Sequence, residues 1–393
     1  MKKFKVLFIL SALILSFIGC KKKQYHKMEW HRFFGTPEIE RAYKIAKDKN
    51  GNVYITGSSK GNFDTKPNMG KNDIFIIKYN TKGKKIWSTL FGTAEDERSG
   101  GIALDSSGNI FVAGTTYGTF GKYSNAVANF FIAKFNPFGK KLWLKIVLKP
   151  ENQNLNSPTG LNNIEIDSNG NILICGCTNV SYGLEKNSDY KDAFIAKFNN
   201  KGKKLWIKLI GSKSGAAANS IVVDQFQNIF ITGLSSGSID SIKTNSNENY
   251  FIAKFNSKGI KQWIKLFPNS KSNGIALDCK GNIYITGRTF KHPGKFKFIG
   301  KKGSLDVFIA KFDTNGNLIW GRQIATSGGD ASAGISVDSS LNVYIVGSVD
   351  RFFETNKKNS NFMIFISKLD SRGDPVWYKY VKTPSPKYAN GIL

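Results

Sequence analysis

Histidine and cysteine are scarce in this chain, with three His and four Cys in 393 residues. His26 and His31 lie near the N-terminus, and only His292 falls in a long loop. No pair has the spacing of metal ligands, and no histidine has a partner acid for proton transfer. Cys20 aside, Cys175, Cys177 and Cys279 are odd in number, so they cannot all pair internally. A zinc site would need two further cysteines at matching spacing. Cys175 is expected as a packing residue, since Thr or Ala fills its place elsewhere in the repeat described below. Acid is also short, with 28 Asp and Glu against 57 Lys and Arg. From Trp30 onwards there is no Pro- or Ser-rich linker and no break in composition, which implies one domain over 30–393. Beyond the N-terminal run, no apolar stretch is long enough to span a bilayer. Neither a metal nor a cofactor is expected, and no residue stands out as catalytic.

What the chain does have is repetition. The stretch 274–320 opens with GIALDCKGNIYITG and ends with DVFIAKFDTNGNLIW, and nearly the same text recurs along the chain. Its apolar runs are short, β-branched and aromatic, and are bounded by Gly, Asn, Asp or Lys, which reads as strand. One unit is four strands: A (274–278), B (282–287), C (306–313) and D (317–324). The D-x-x-G-N stretch between A and B and the D-x-x-G stretch between C and D are tight turns. Four antiparallel strands repeated radially make a β-propeller.

All seven tryptophans, Trp30, Trp87, Trp143, Trp206, Trp263, Trp320 and Trp377, fall at the D position, at spacings of 57, 56, 63, 57, 57 and 57 residues. Strand B recurs six times, and strand A starts again at Gly391-Ile392-Leu393. The expected architecture is all-β: six complete four-stranded blades plus a partial seventh made of an N-terminal D strand and a C-terminal A strand. A ring of six with a spare strand at each end is the other solution. The D-x-x-G-N turn, the IYITG-like strand and the FIAKFN-x-x-G-K-x-x-W segment resemble the SBBP (seven-bladed β-propeller) repeat family of bacterial secreted and surface proteins. The resemblance implies the fold and leaves function open.

Two ionisable positions repeat in all six units. One is the Asp ending strand A: Asp48, Asp105, Asp167, Asp224, Asp278 and Asp338. The other is the Lys of strand C: Lys78, Lys134, Lys197, Lys254, Lys311 and Lys368. Catalysis needs a group once, so the repetition predicts structural roles. The Asp is expected to cap its own turn, and the Lys to pack its stem between blades with its head near an acid. Gly57-Ser58-Ser59-Lys60-Gly61 and Gly233-Leu234-Ser235-Ser236-Gly237 match G-x-S-x-G, but a nucleophile elbow needs a strand, a turn and a helix, and here a loop follows. Glu95, Asp96 and Glu97 form one acidic cluster in a long loop, where a weak cation site or a solvated loop is expected.

Residues 1–19 read as a lipoprotein signal: Lys2, Lys3 and Lys5, an apolar stretch from Val6 to Ile18, then Gly19 before Cys20. Phe17-Ile18-Gly19-Cys20 resembles a lipobox, with Phe where Leu is usual, and an ordinary signal peptide is the other reading. The resemblance implies acylation of Cys20, a basic tether over 20–29, export, and a place on a bacterial membrane, periplasmic or at the cell surface. Without Lys2, Lys3 and Lys5 the balance is 54 basic against 28 acidic residues, or +26. An exported protein of that charge is expected to meet anionic lipid, acidic glycan or an acidic protein, not nucleic acid.

Strand polarity sends the short A–B and C–D turns to one face and the long, variable B–C and D–A connections to the other. Any ligand is expected on the long-loop face or in the channel mouth there. The short-turn face carries an arc of lysines: Lys82, Lys84 and Lys85, then Lys140 and Lys141, then Lys201, Lys203 and Lys204, then Lys258 and Lys261. The arc fits an anionic surface, or charged turns that simply keep hairpin edges unpaired. The functional expectation is a non-catalytic binding or scaffold module. A polysaccharide-acting enzyme with carboxylates at the channel mouth is the alternative.

Overall fold

The computed structural model describes residues 8–10, 30 and 32–392, apart from 65, 121–127, 149–159, 183–184, 189, 213, 291–295, 302, 353–357 and 382–389. Cys20 and the tether lie outside the described residues, and so does His292.

Six antiparallel sheets of A, B, C and D strands follow one another in chain order, and no helix occurs among the described residues. In blade 1 the strands are Glu40–Lys47, Val53–Ser59, Asp73–Tyr79 and Lys85–Phe91. In blades 2 to 6 the A strands are Glu97–Leu104, Gly160–Ile166, Ala216–Val223, Ser270–Leu277 and Asp330–Val337. These A strands run longer than expected from their apolar text: in blade 5 the strand starts at Ser270, not 274, and B continues to Thr289. In blade 5 the extension is polar yet packed: Ser270 and Ser272 are fully buried and donate to Thr289 Oγ1 at 2.9 Å and to Gly233 O at 3.1 Å. A second departure is Lys297–Gly300 in the long B–C connection of blade 5, which adds a fifth strand parallel to Leu318–Ala325.

Strands B and C are enclosed by neighbouring blades, so they are apolar on both faces and do not alternate. Phe75, Phe111, Phe194 and Phe230 are fully buried. Most hydrophobic layers form between blades, whereas one covers a face of blade 1 with Trp30 and Phe34. Phe111 and Phe130 of blade 2 share one cluster with Ile172 and Phe194 of blade 3, while Cys175 of blade 3 packs with Ile229 and Phe251 of blade 4. Each such side chain contributes about 1.5–3 kcal/mol, and only when the adjacent blade is present.

The tryptophans occupy equivalent positions. Six of the seven lie over the C–D turn of the following blade: Trp30 on Gly83, Trp87 on Gly139, Trp143 on Gly202, Trp206 on Gly259, Trp263 on Gly316 and Trp320 on Gly373. The indole N–H of Trp87 donates to Pro137 O at 3.3 Å, that of Trp206 to Ser257 O at 3.3 Å, and that of Trp320 to Ser371 O at 3.3 Å. Trp30 donates in the same way to Thr81 O at 2.9 Å.

The turn aspartates behave alike. Asp48 Oδ1 accepts the N–H groups of Asn50 and Asn52, both at 2.9 Å, and Oδ2 accepts Asn52 Nδ2 at 2.7 Å. Asp105, Asp167, Asp224, Asp278 and Asp338 repeat this pattern. Four of the strand C lysines reach the same carboxylates: Lys78 to Asp48 at 4.0 Å, Lys134 to Asp105 at 3.5 Å, Lys197 to Asp167 at 2.8 Å and Lys311 to Asp278 at 3.3 Å. Lys254 instead donates to Thr314 O at 3.4 Å, and Lys368 lies 5.4 Å from the Tyr344 ring centre.

Among the described residues no seventh four-stranded blade forms. Arg32–Phe34 pairs antiparallel with Phe8–Leu10, and 390–392 is not a strand. An inner and an outer strand without the two between them are too far apart to hydrogen-bond, which is why these ends do not make a blade.

Candidate functional site at the channel mouth

Strand A of every blade carries a β-bulge at one position, where the register to strand B shifts: Tyr43, Gly100, Asn162, Asn219, Asn273 and Ala333. A bulge twists its strand and re-aims its side chain, and Tyr43, Gly100, Asn162, Asn273 and Ala333 line the channel mouth. Two residues further on, every blade has isoleucine: Ile45, Ile102, Ile164, Ile221, Ile275 and Ile335. The bulged asparagines tie blades together. Asn162 Nδ2 donates to Ala218 O at 2.8 Å, Asn219 Nδ2 to Ser272 O at 2.9 Å, and Asn273 Nδ2 to Ser332 O at 2.8 Å. Asn390 makes the same contact with Ala42 O at 2.7 Å. Gly391 reaches both Gly334 of blade 6 and Ile45 of blade 1.

Above the bulges, on the long-loop face, opens a cavity of about 610 Å³. Arg41, Tyr43 and Lys44 of blade 1, Arg98 and Tyr117 of blade 2, Asn162 of blade 3, Asn273 of blade 5 and Asn390 line it. Below, the channel narrows to a throat of about 160 Å³ that Lys44 shares with Glu165. The Arg98 guanidinium lies 5.6 Å from the Tyr117 ring centre, a cation–π contact that orients it at the rim. Tyr43 OH accepts from Ser58 Oγ at 3.2 Å.

Lys44 and Glu165 are half-buried in the throat, and their titration reflects this. Burial holds the Lys44 ammonium below the usual lysine range. Burial pushes the Glu165 carboxyl up to about 7, against one backbone hydrogen bond from Ile166 N at 3.2 Å. Neither has an ion-pair partner among the described residues. Burial also raises the Cys175 thiol to about 12, with Lys44 acting in the opposite direction.

No carboxylate is among the described residues that line the mouth. Acids do gather at the long-loop ends of the strands, but they are enclosed. Asp73 Oδ2 accepts Met69 N at 2.6 Å, and Glu97 accepts Thr93 N at 2.7 Å and Thr116 Oγ1 at 2.7 Å. Asp330 accepts Thr326 N at 2.6 Å, and burial, with Asp306 and Asp350 nearby, pushes it up to about 7. These groups cap loops. The 95–97 cluster disperses in the same way: Glu95 pairs with Lys71 at 2.6 Å, Asp96 accepts from Asn72, and Glu97 turns inward. No group of three or more acids, histidines or cysteines suited to a metal occurs among the described residues. In the G-x-S-x-G matches, Ser59 Oγ accepts Gly61 N at 3.1 Å and Ser235 Oγ accepts Gly237 N at 3.4 Å, which are turn contacts.

The sequence reading missed Arg41, Tyr43, Lys44, Arg98, Tyr117 and Glu165. Their signal was available: with the A strands aligned on the terminal Asp, Lys44 and Glu165 stand where other blades have small or uncharged residues.

The SBBP β-propeller repeat profile matches residues 29–64, 86–121 and 205–240. An uncharacterised WD repeat-containing protein of Acanthamoeba polyphaga mimivirus is 20% identical over 474 aligned positions, which cover 88% of this chain. The match spans 34% of that protein's length. Among solved structures, an ulvan lyase, a polysaccharide lyase, superposes with a TM-score of 0.51 at 14% identity, over 86% of this chain and 82% of its own. A protein of unknown function from Dyadobacter fermentans superposes with a TM-score of 0.47 at 12% identity, over 87% and 94%.

Proposed function

We propose, from the premise that this chain is built of SBBP β-propeller repeats, that it is a non-catalytic binding module whose ligand enters the channel mouth. One observation carries this reading: Arg41, Arg98 and Lys44 converge beside Tyr43 and Tyr117, with no carboxylate among the described lining residues. Guanidinium groups match planar carboxylates and sulfates in pairs of hydrogen bonds. Tyrosine faces offer flat apolar surface with a polar edge. The ligand is then an anionic group on a glycan or protein, held at the rim and excluded from the isoleucine-lined throat. The second reading, a polysaccharide-acting enzyme, draws on the ulvan lyase, solved bound to -[GlcA(1-4)Rha3S]-. In the form expected from the sequence it needs paired carboxylates at the mouth, and the acids near that face are enclosed as loop caps.

The contacts of Asn390 with Ala42 O and of Trp30 with Thr81 O repeat contacts made between complete blades. They support reading both ends as the inner and outer edges of a seventh sector. Acylation at Cys20 would then hold the module on an exported membrane surface, and mass spectrometry of the native product tests that mass. Equilibrium binding to sulfated, carboxylated and neutral saccharides tests the mouth. Acidic ligands should bind, and Arg41→Ala with Arg98→Ala should weaken them at least tenfold, as expected for about 1.5–3 kcal/mol per charged hydrogen bond. Equal binding of neutral sugars, or indifference to the double substitution, would refute the assignment.

A further inference from the structure

The short-turn face carries more than lysine. Three turn tips there expose large apolar side chains: Phe138 at 84%, Phe226 at 75% and Ile260 at 56%. Phe138 tops the C–D turn of blade 2, Phe226 the A–B turn of blade 4, and Ile260 the C–D turn of blade 4. All three fall inside the lysine arc of blades 1 to 4. The corresponding turns of blades 5 and 6, around Asn315 and Arg372, have polar tips.

The arc is also largely unneutralised. Lys85 pairs with Asp64 at 2.6 Å, and Lys261 pairs with Asp240. Lys140, Lys141, Lys203 and Lys204 are exposed and have no ion pair among the described residues. The acids nearest these turns, Asp105, Asp167 and Asp224, are turned inward as caps. A third feature points the same way. Trp30 and Arg32 anchor the start of the disc at the short turn of blade 1, through Thr81 O at 2.9 Å and Gly83 O at 2.7 Å. Trp30 itself therefore sits on the side of the arc.

We infer that the short-turn rim of blades 1 to 4 is a docking surface for an anionic lipid bilayer. Isolated protruding Phe and Ile side chains form no pocket for a glycan or peptide. Flanked by lysines, they suit a headgroup layer, where the rings enter the acyl boundary and the ammonium groups meet phosphates. The disc then lies with its short turns down and its channel mouth facing away from the membrane. The inference is independent of what the mouth binds.

Co-sedimentation of the full chain with vesicles tests it, using phosphatidylcholine alone and phosphatidylcholine mixed with phosphatidylglycerol. Partition should favour the anionic vesicles and fall as salt rises. The variant K140E/K141E/K203E/K204E should lose that preference by at least about tenfold, since each basic residue near an anionic surface contributes about 1 kcal/mol. F138S/F226S should reduce binding severalfold on the same vesicles. The control K186E/K243E alters exposed lysines of the long loops by the same kind of charge change, and should keep the preference. Equal partition onto both vesicle types overturns the inference. So does an arc variant that binds like the unaltered chain, or a control that loses as much per charge as the arc variant. Thermal unfolding of each variant separates lost docking from lost fold.

Discussion

Gly259 tests the contact that joins one blade to the next. It adopts φ +76°, and a Cβ added there would lie 2.8 Å from Trp206 Cδ2, 2.9 Å from Cε3 and 3.0 Å from Cε2. Carbon atoms prefer separations of about 3.5–4.0 Å, so the indole has to move by roughly half an ångström or more. In Gly259→Ala the left-handed backbone costs about 1–2 kcal/mol, and overpacking against the indole adds about 1–3 kcal/mol. Gly170 separates the two effects. It adopts φ +75° with nothing within 4 Å of its added Cβ. Gly170→Ala should therefore cost only the backbone part, about 1–2 kcal/mol. Urea unfolding of the full chain, followed by tryptophan fluorescence and circular dichroism, measures both, provided the two probes report coincident transitions. Trp206→Ala in the Gly259→Ala background should then restore part of the loss through a coupling of about 0.5–3 kcal/mol. Equal destabilisation at the two glycines, or strict additivity with Trp206→Ala, would refute the reasoning that the indole clamps the adjacent turn.

Three further outcomes are expected. Glu165 has a folded value near 7, above its ordinary 4.5, so the unfolded chain releases this proton first and stability falls as pH rises from about 4.5 to 7. Glu165→Gln should remove that slope and stabilise the protein by about 2–3 kcal/mol at pH 8, with little change at pH 4. At Asp167, burial alone would raise the carboxyl, but hydrogen bonds from Lys197 and Asn171 outweigh it and hold the group below the usual range. Its stabilisation is thus complete above the unfolded value and is lost as pH falls through the folded one. Asp167→Ala, which strands buried Lys197, should cost about 3–5 kcal/mol at neutral pH and should flatten acid unfolding. Cys279 is exposed while Cys175 and Cys177 are buried. Of these three thiols only Cys279 should react quickly with a thiol reagent in the native protein, and all three should react in denaturant, as peptide mass mapping would show.

Much of the fold is legible from text because the repeat is local. The D-x-x-G-N turn needs only its own five residues to close, and the alternation of turn and apolar run needs only the chain around it. The tryptophan period likewise marked equivalent positions before any packing was known. The turn aspartates were readable for the same reason, since their partners lie two and four residues away.

The mouth was not legible in that way. Tyr43 and Lys44 have no neighbours in sequence that reveal a channel, and Arg98, Asn162, Asn273 and Asn390 are far from them along the chain. They meet because the A strands of successive blades surround a common axis, and an axis exists only once the blades close. Glu165 and Lys44 illustrate the limit: alignment of the A strands marks them as unusual, but only the closed ring shows that burial in a throat shifts them. The exposed tips Phe138, Phe226 and Ile260 were equally silent as text, since an apolar residue in a turn is not marked as protruding. Sequence by itself determined the repeating strand-and-turn unit and its six complete copies, which depend on short-range geometry. Tertiary structure alone decided which side chains converge and which charges lose water, because both depend on the distance between blades.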